Sequence, residues 1–575
     1  MNEKLLHLSG EVLKTSVIDF STLNDNSLST LTEALGLKMS PSDLHICLKH
    51  YKSERLPAPT SGELMLIDKV FSDKENRLSS RLIASFSTND KRVAETYADL
   101  MSRRRAIDPD HALPCSVTDL LNILPAFAFD NKDKEITLLC GKNRAAKAAM
   151  AGYRGFSFSE QSDRDALIGI KTDKSQNTTP NLGDAIYAVL KSFNDEDGFE
   201  QRLDEFISSA EVASASKQID ILENESIITL LSENYDGVRL NLQPYEAKSG
   251  DYIPFELLAK SDSGVTICAS KQTAADMLIA AQERGLRVVI LGSANGSLKI
   301  EAQSRLGNRL TLDIKLLRSL GFPRPIYCET DRNNIPQSRA KAVKTAVINQ
   351  KNYKLCSSER CNKDAFTSGF ESVLYAYSTA LLGGTDTIYA GAYTLPLTEI
   401  DPKSLGTSLE LILGAYRAQC ELGIYESFHS VERGDSPSLR FHALTEVKSE
   451  IPTKIVGKGS YIYYLEPRFL DNGLPDFDDL KKMHRYISSL IKDNILLSAY
   501  PTGNDLITAL DRMSKDTCVE YVRRDELPAR VGGFIIEATQ RIQGAYIART
   551  TPPRSEYTEA NGDFSQIPEQ IALGT

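Results

Sequence analysis

Apolar residues recur at gaps of three and four through Leu405, Leu409, Ile412, Leu413, Tyr416 and Cys420, a spacing that predicts an amphipathic helix ending at Gly423. Ser404 or Thr407 is placed to cap it. A polar loop containing FHSVERGDS follows, and from Pro437 onward the pattern is that of a strand. A second helical stripe runs through Phe366, Phe370, Val373, Leu374, Tyr377 and Leu381, with Gly383-Gly384 as its stop. Near the amino end, one helix closes at Gly36; another starts at Ser40-Pro41, a cap followed by proline, and carries Leu44, Cys47, Leu48 and Tyr51. In the middle, VTIC is a strand, Ser270 to Gly285 brackets a helix, and LRVVIL is the next strand. Asn295-Gly296 then reads as a hairpin turn into SLKIEA. Residues 321–364 read as a linker with one helix. Beyond Tyr461 the strands YIYYL, NILLSAY, GFIIEAT and AYIAR alternate with two helical segments. The expected class is α/β, in an α+β layered arrangement.

A chain of 575 residues has room for several cores, and 41% hydrophobic with 25% charged residues is an ordinary globular balance. A formal charge of -10 argues against binding to nucleic acid, which calls for clustered uncompensated cations. The first twenty residues hold no apolar run of signal-peptide length, and no stretch approaches the roughly 20 apolar residues of a membrane span. A cytoplasmic protein without membrane contact is the expectation. Nine cysteines without repeated close spacing suggest reduced core residues, and the seven histidines do not gather beside them.

Three residues of the polar loop, His429, Glu432 and Asp435, are the weak candidate for an acid–base or metal cluster. The competing reading makes them exposed loop charges. Phosphate-binding loops use glycines to let backbone N–H groups approach oxygen atoms. The loop after the strand Ala185 to Leu190 instead carries Lys191, Ser192, Phe193, Asn194, Asp195 and Glu196, so an ordinary surface loop is expected.

The run LGLKMSPSDLHICLKHYKSERLPAPTSGELMLIDKVFSD resembles the region preceding the active site in the large, single-chain form of phosphoribosylformylglycinamidine synthase. The resemblance continues through Pro114, Cys115 and Asp119, then Pro180, Gly183 and Asp184, and later Gly473-Leu474-Pro475; in blocks it spans about Val17 to Thr551. The family's WSDHCRH motif is replaced by Phe71, Ser72, Asp73, Lys74 and Glu75, which puts Lys74 where the resemblance implies a catalytic histidine. A lysine serves there only with a strongly lowered pKa. The family's Glu-Thr-His-Asn-His-Pro motif and its glycine-rich runs have no counterpart.

The resemblance implies remnants of two repeated, aminoimidazole ribotide synthetase-like halves behind a helical amino-terminal region. The expected division is a helical region at 1–60, a reduced first catalytic subdomain at 61–135, an α/β domain at 136–320, a linker at 321–364, a second α/β domain at 365–551, and a polar tail at 552–575. Two functions follow from it. The first is a catalytically degenerate paralogue, related to purine biosynthesis, with a binding, regulatory or structural role and no expected cofactor. The alternative is an active ligase that uses Mg-ATP and ammonia from a partner to amidate formylglycinamide ribotide. A homo-oligomer or a purine-pathway protein is the expected partner. A new nucleotide site on the old scaffold is a third outcome.

Overall fold

The computed structural model describes residues 17–18, 23, 25–77, 83–109, 115–127, 135–141, 143–156, 166–172, 180–194, 197–245, 255–305, 307–321, 326–329, 342–348, 351–360, 364–384, 388, 390–397, 401–425, 427–434, 436–457, 459–503, 505–514, 519–521 and 529–550. Asp435, Asp195, Glu196 and the tail lie outside them. The helix Pro41–Ser53 starts as its sequence predicts: Ser40 and Asp43 form a reciprocal capping box, and Leu44, Cys47, Leu48 and Tyr51 are buried. Helix α1 (Ser61–Glu75) uses Thr60 and Glu63 in the same way and is buried along most of its length.

Strand β1 (Ile136–Cys140) and two partners, Tyr153–Phe156 and Ala166–Lys171, make a small sheet, with the short helix α2 (Arg144–Met150) between the first two strands. The largest sheet contains β2 (Ala185–Leu190), β3 (Ser216–Ser226), β4 (Val238–Leu240), β5 (Ser261–Ala269), β6 (Val289–Ala294), β7 (Lys299–Gln303) and β8 (Arg309–Asp313). Its spatial order is β8-β7-β4-β6-β2-β5-β3. Helix α3 (Ile227–Asn234) continues directly from β3, and α4 (Ile314–Ser319) from β8.

A second sheet is built from β9 (Ala342–Ile348), β10 (Lys351–Glu359), β11 (Ala390–Leu397), β12 (Ser427–Arg433) and β13 (Arg440–Glu446), in the order β9-β10-β13-β11-β12. Helices α5 (Ala365–Leu381) and α6 (Pro402–Leu422) belong to this unit and are buried on nearly all sides. β11 and β12 pair in parallel, and such a pair needs a long crossover, here α6. The last sheet joins Tyr461–Leu465, Leu496–Pro501, Val519–Tyr521, Phe534–Ala538 and Ala545–Thr550. It carries helix α7 (Phe477–Lys492). Among the described residues no helix is long and apolar enough to cross a membrane.

The small sheet ties the two halves together. Leu138, Cys140, Ala166 and Ile168 form one apolar cluster with Tyr353, Leu355, Ala390, Ala392 and Leu444 of the second sheet. The Cys140 thiol donates to the Tyr393 carbonyl at 3.1 Å. Burying both apolar faces against each other fixes where β12 stands relative to the first half.

Four expectations change. Asp401, not Ser404 or Thr407, caps α6, accepting from the Lys403 and Ser404 N–H groups at 2.9 and 3.2 Å, with Pro402 at the first helical position. Pro402 fits there because its missing N–H has no helical partner to lose. Asn295-Gly296 does not join paired neighbours, since β4 lies between β6 and β7. Among the described residues the segment 321–364, read from the sequence as a linker with one helix, holds strands Ile326–Glu329, β9 and β10. Its Lys- and Arg-rich polar positions hid the strand period. Finally, the FHSVER part of the polar loop is strand β12. An edge strand with one polar face shows no continuous apolar run.

One buried histidine sets a testable acid response. His484 of α7 is 4% exposed, packs its ring 5.3 Å from that of Tyr377 and edge-on to Phe534, and its Nε2 has no hydrogen-bond partner among the described residues. Burial pushes its pKa down to about 4 from 6.5. Between those values the unfolded chain takes up the proton first, so the contribution to stability is complete above pH 6.5 and is lost as the pH falls toward 4. Against His484→Phe, the native protein is expected to lose about 2 kcal/mol between pH 7 and pH 5. Parallel urea titrations at the two pH values measure this; an unchanged difference between the two proteins would refute it.

Candidate functional site

The carboxyl end of α1 is where the sequence resemblance places a catalytic motif, and its side chains are committed to holding other helices. Asp73 accepts from the Ser226 N–H at 2.8 Å, the Ser226 hydroxyl at 2.6 Å and the Thr229 hydroxyl at 2.8 Å. It thereby supplies the anionic cap at the start of α3 that Ser226 does not provide itself. Lys69 neutralises the other carboxylate oxygen at 2.5 Å.

Lys74 turns to the opposite helix terminus. Its Nζ donates to the carbonyls of Leu317, Arg318 and Leu320 at 2.6, 3.4 and 3.3 Å, closing the end of α4. A cation at the negative end of a helix is favourable. Gly321, with φ +74°, allows the approach, because a Cβ there would stand 2.8 Å from the Cβ of Lys74. Burial lowers the Lys74 pKa, the direction a proton-transferring lysine needs, but three carbonyls occupy its protons.

Beyond these residues a cleft of about 550 Å³ opens between the end of α1, the end of β3 with α3, the start of α2 and the edge strand β12. Its described lining includes Asp73, Asp220, Glu223, Glu225, Glu233 and Glu432 against a single guanidinium, that of Arg77. Arg77 is held by Glu225 at 2.5 Å and Glu233 at 2.6 Å. Burial raises the Glu225 carboxyl to about 7 despite the opposing pull of Arg77, and the nearby Glu233 and Asp73 charges add to the rise. Asp220 is also raised by burial and accepts two 2.9 Å contacts from Gln218. Lys147 of α2 stands behind the wall, 3.1 Å from both Glu223 and the Ser430 hydroxyl.

Asn143, on the same wall, takes the left-handed conformation (φ 52°, ψ 29°) before α2 without capping it through its side chain. Asn224, also on the wall, has φ 58°. Asparagine tolerates this region better than most residues.

Of the three loop candidates, the two described ones, His429 and Glu432, face opposite sides of β12. Glu432 lines the cleft and accepts from the Ser430 hydroxyl at 3.2 Å. His429 does not line it: strand alternation turns it to the other face, with its ring 6.2 Å from that of Tyr393. Burial, reinforced by the Lys147 charge, lowers the His429 pKa to about 4. Asp435 lies outside the described residues. Neither His429 nor Glu432 is an exposed loop charge, because strand pairing draws both into a sheet.

Nucleotide phosphates and magnesium fit these residues poorly. After β2, Lys191–Phe193 forms a single 3₁₀ turn in which the Ser192 N–H and hydroxyl both donate to Asp262 and Phe193 packs 6.3 Å from the Tyr245 ring. The Arg287 guanidinium covers Phe193 at 5.4 Å. This turn leaves no glycine cradle. Among the described residues no group of three acidic, histidine or cysteine side chains is arranged to hold a metal ion.

Asn143, Arg77, Glu223, Glu225 and Glu233 were not singled out from the sequence. The alternating acids of LENES at the end of β3 are the one local signal; the rest come together only in three dimensions.

No family model matches the chain, and none of the curated proteins compared with it is a match. Solved structures do match. PurL from Thermotoga maritima complexed with FGAR superposes with a TM-score of 0.51 at 12% identity, covering 88% of this chain and 99% of that one. The same protein complexed with ATP gives 0.50 at 13% identity over 73% and 89% of the two chains. Phosphoribosylformylglycinamidine synthase II from Thermotoga maritima gives 0.50 at 12% identity over 88% and 99%. The chain therefore has the mixed α/β fold of these synthases across most of its length.

Proposed function

We propose that this chain is a divergent relative of phosphoribosylformylglycinamidine synthase that keeps the scaffold, has lost the synthase chemistry, and works as a binding protein. The observation that carries the reading is the fate of Lys74. At the position where the resemblance implies a proton-transferring histidine, an ammonium closes the end of α4 through three carbonyls. Asp73 beside it is spent on the start of α3. The phosphate side supports the same conclusion, since the turn after β2 is filled by Phe193 and fastened to Asp262. Fold and active-site residues are separate requirements, so one can persist without the other.

The purified chain is expected to show no ammonia- and Mg-ATP-dependent conversion of formylglycinamide ribotide above the uncatalysed rate. Lys74→Met is expected to lower the melting temperature, as removal of a helix-closing cation should. Steady turnover by the native chain, abolished in Lys74→Met with an unchanged melting temperature, would overturn the reading. We propose further that the chain self-associates; sedimentation of the same preparation as a clean monomer at micromolar concentration would refute this.

A further inference from the structure

We propose that two copies of this chain pair through the outer edges of their β9 strands, antiparallel and about a two-fold axis at Thr345, so that two five-stranded sheets become one continuous sheet. The inference names the surface for the self-association proposed above and rests on that reading.

An open ladder is the first observation. β9 stands at the edge of its sheet, and its whole length pairs with β10, from Ala342 opposite Ser357 to Ile348 opposite Lys351. Among the described residues no backbone hydrogen bond joins 342–348 to anything but β10. In an antiparallel ladder alternate residues turn their N–H and C=O groups to opposite sides, so part of this backbone faces away from β10. Such an edge is a template for a further strand.

Two other edge strands show how this chain closes a ladder from within. At β8 the outward Thr311 N–H donates to the Glu63 carboxylate of α1 at 2.7 Å. At the strand Leu496–Pro501 the Ala499 N–H donates to the Pro452 carbonyl at 2.9 Å. Among the described residues β9 has no such closure.

Register selects the occupant. The sequence of β9 is AVKTAVI, rich in strand-favouring residues and free of proline. A two-fold axis makes the pairing self-complementary, each residue meeting its mirror position about the centre. Only a centre at Thr345 pairs the whole strand. It sets Thr345 opposite Thr345, Lys344 opposite Ala346, Val343 opposite Val347, and Ala342 opposite Ile348 of the second copy. Moving the centre to Lys344 sets lysine opposite lysine and leaves Val347 and Ile348 without partners; like charges directly opposite repel. The strand's single charge therefore permits one register and penalises its neighbour.

Sedimentation of the full chain at micromolar concentration should show a monomer–dimer equilibrium. Thr345→Lys and Thr345→Glu should each weaken dimerisation by about tenfold or more, because the substituted residue meets its own copy across the axis. An equal mixture of the two variants should recover the association, since lysine then opposes glutamate. Backbone hydrogen exchange at 342–348 of the native chain should slow as protein concentration rises. Circular dichroism melts establish that both variants are folded.

Dimerisation unchanged in both variants, or exchange at 342–348 independent of concentration, would overturn β9 as the surface while leaving self-association standing. Failure of the mixture to recover would do the same, because loss without rescue marks general destabilisation. A clean monomer would remove self-association and this surface together, whatever other strand the edge accepts.

Discussion

Gly414→Ala is expected to lower stability by more than about 3 kcal/mol, the range of severe overpacking in a rigid core. Gly414 of α6 lies where that helix crosses α5, and a Cβ there would stand 1.9 Å from the Phe366 carbonyl oxygen and 2.8 Å from the Phe370 nitrogen. The contact is reciprocal, since a Cβ on Gly369 of α5 would stand 2.0 Å from the Leu411 carbonyl oxygen. Both obstructions are backbone atoms, which cannot rotate aside as a side chain can. Glycine within a helix costs about 1 kcal/mol relative to alanine, so on propensity alone the substitution should stabilise. The steric term reverses that sign. Gly423 is the control: it holds the left-handed end of α6 at φ +72° with nothing within 4 Å of a Cβ. Alanine there should cost only about 1 kcal/mol. Urea unfolding of both variants beside the native chain distinguishes them, and equal losses would refute the crossing argument.

The second large effect belongs to Glu537 in the last sheet. Its fully buried carboxylate accepts from the Val456 N–H at 3.0 Å, the Gly457 N–H at 2.8 Å, and the Ser460 and Ser498 hydroxyls at 2.5 Å each. One side chain thus secures the segment before the strand Tyr461–Leu465 to two other strands. Glu537→Ala is expected to cost about 3–5 kcal/mol, because it removes a well-satisfied buried charge and strands several donors. Ser498→Ala, which deletes one donor and leaves the other three in place, should cost about 1 kcal/mol. Hydrogen exchange should show early opening of residues 456–460 in the glutamate variant. Retained protection there, or a loss no larger than that of Ser498→Ala, would show that the carboxylate is not the anchor.

The legible parts of the fold were those governed by short-range pattern. The apolar stripe from Leu405 to Cys420, the stripe from Phe366 to Leu381 and the Ser40 start signal each correspond to an observed element. Their period and terminal residues lie within one segment, so the sequence shows them directly. β10 was missed because one of its two partners lies far along the chain: it pairs with β13, across both α5 and α6, while β9 is an edge strand held only by β10. β12 was missed for a related reason. Its Ser, Glu and His residues look like a loop until β11 pairs with them in parallel.

The candidate site divides along the same line. Glu432 could be named from its loop-like surroundings, but alternation along β12 separates it from His429, its sequence neighbour in the imagined cluster. Asn143 and Glu223 meet Glu432 only because the small sheet buries its apolar face on the second sheet and brings α2 and β3 up to an edge strand.

Amino-acid order was sufficient for helix faces, most stops and the departure from the synthase motif at Lys74, since these depend on side-chain type and spacing within a few residues. It could not say what Lys74 does. Long-range packing places three carbonyls from the end of α4 around its ammonium, converting a substituted active-site position into a helix closure. The same packing encloses acids from separate segments in one cleft, where proximity and burial give them a joint electrostatic character that no single stretch possesses.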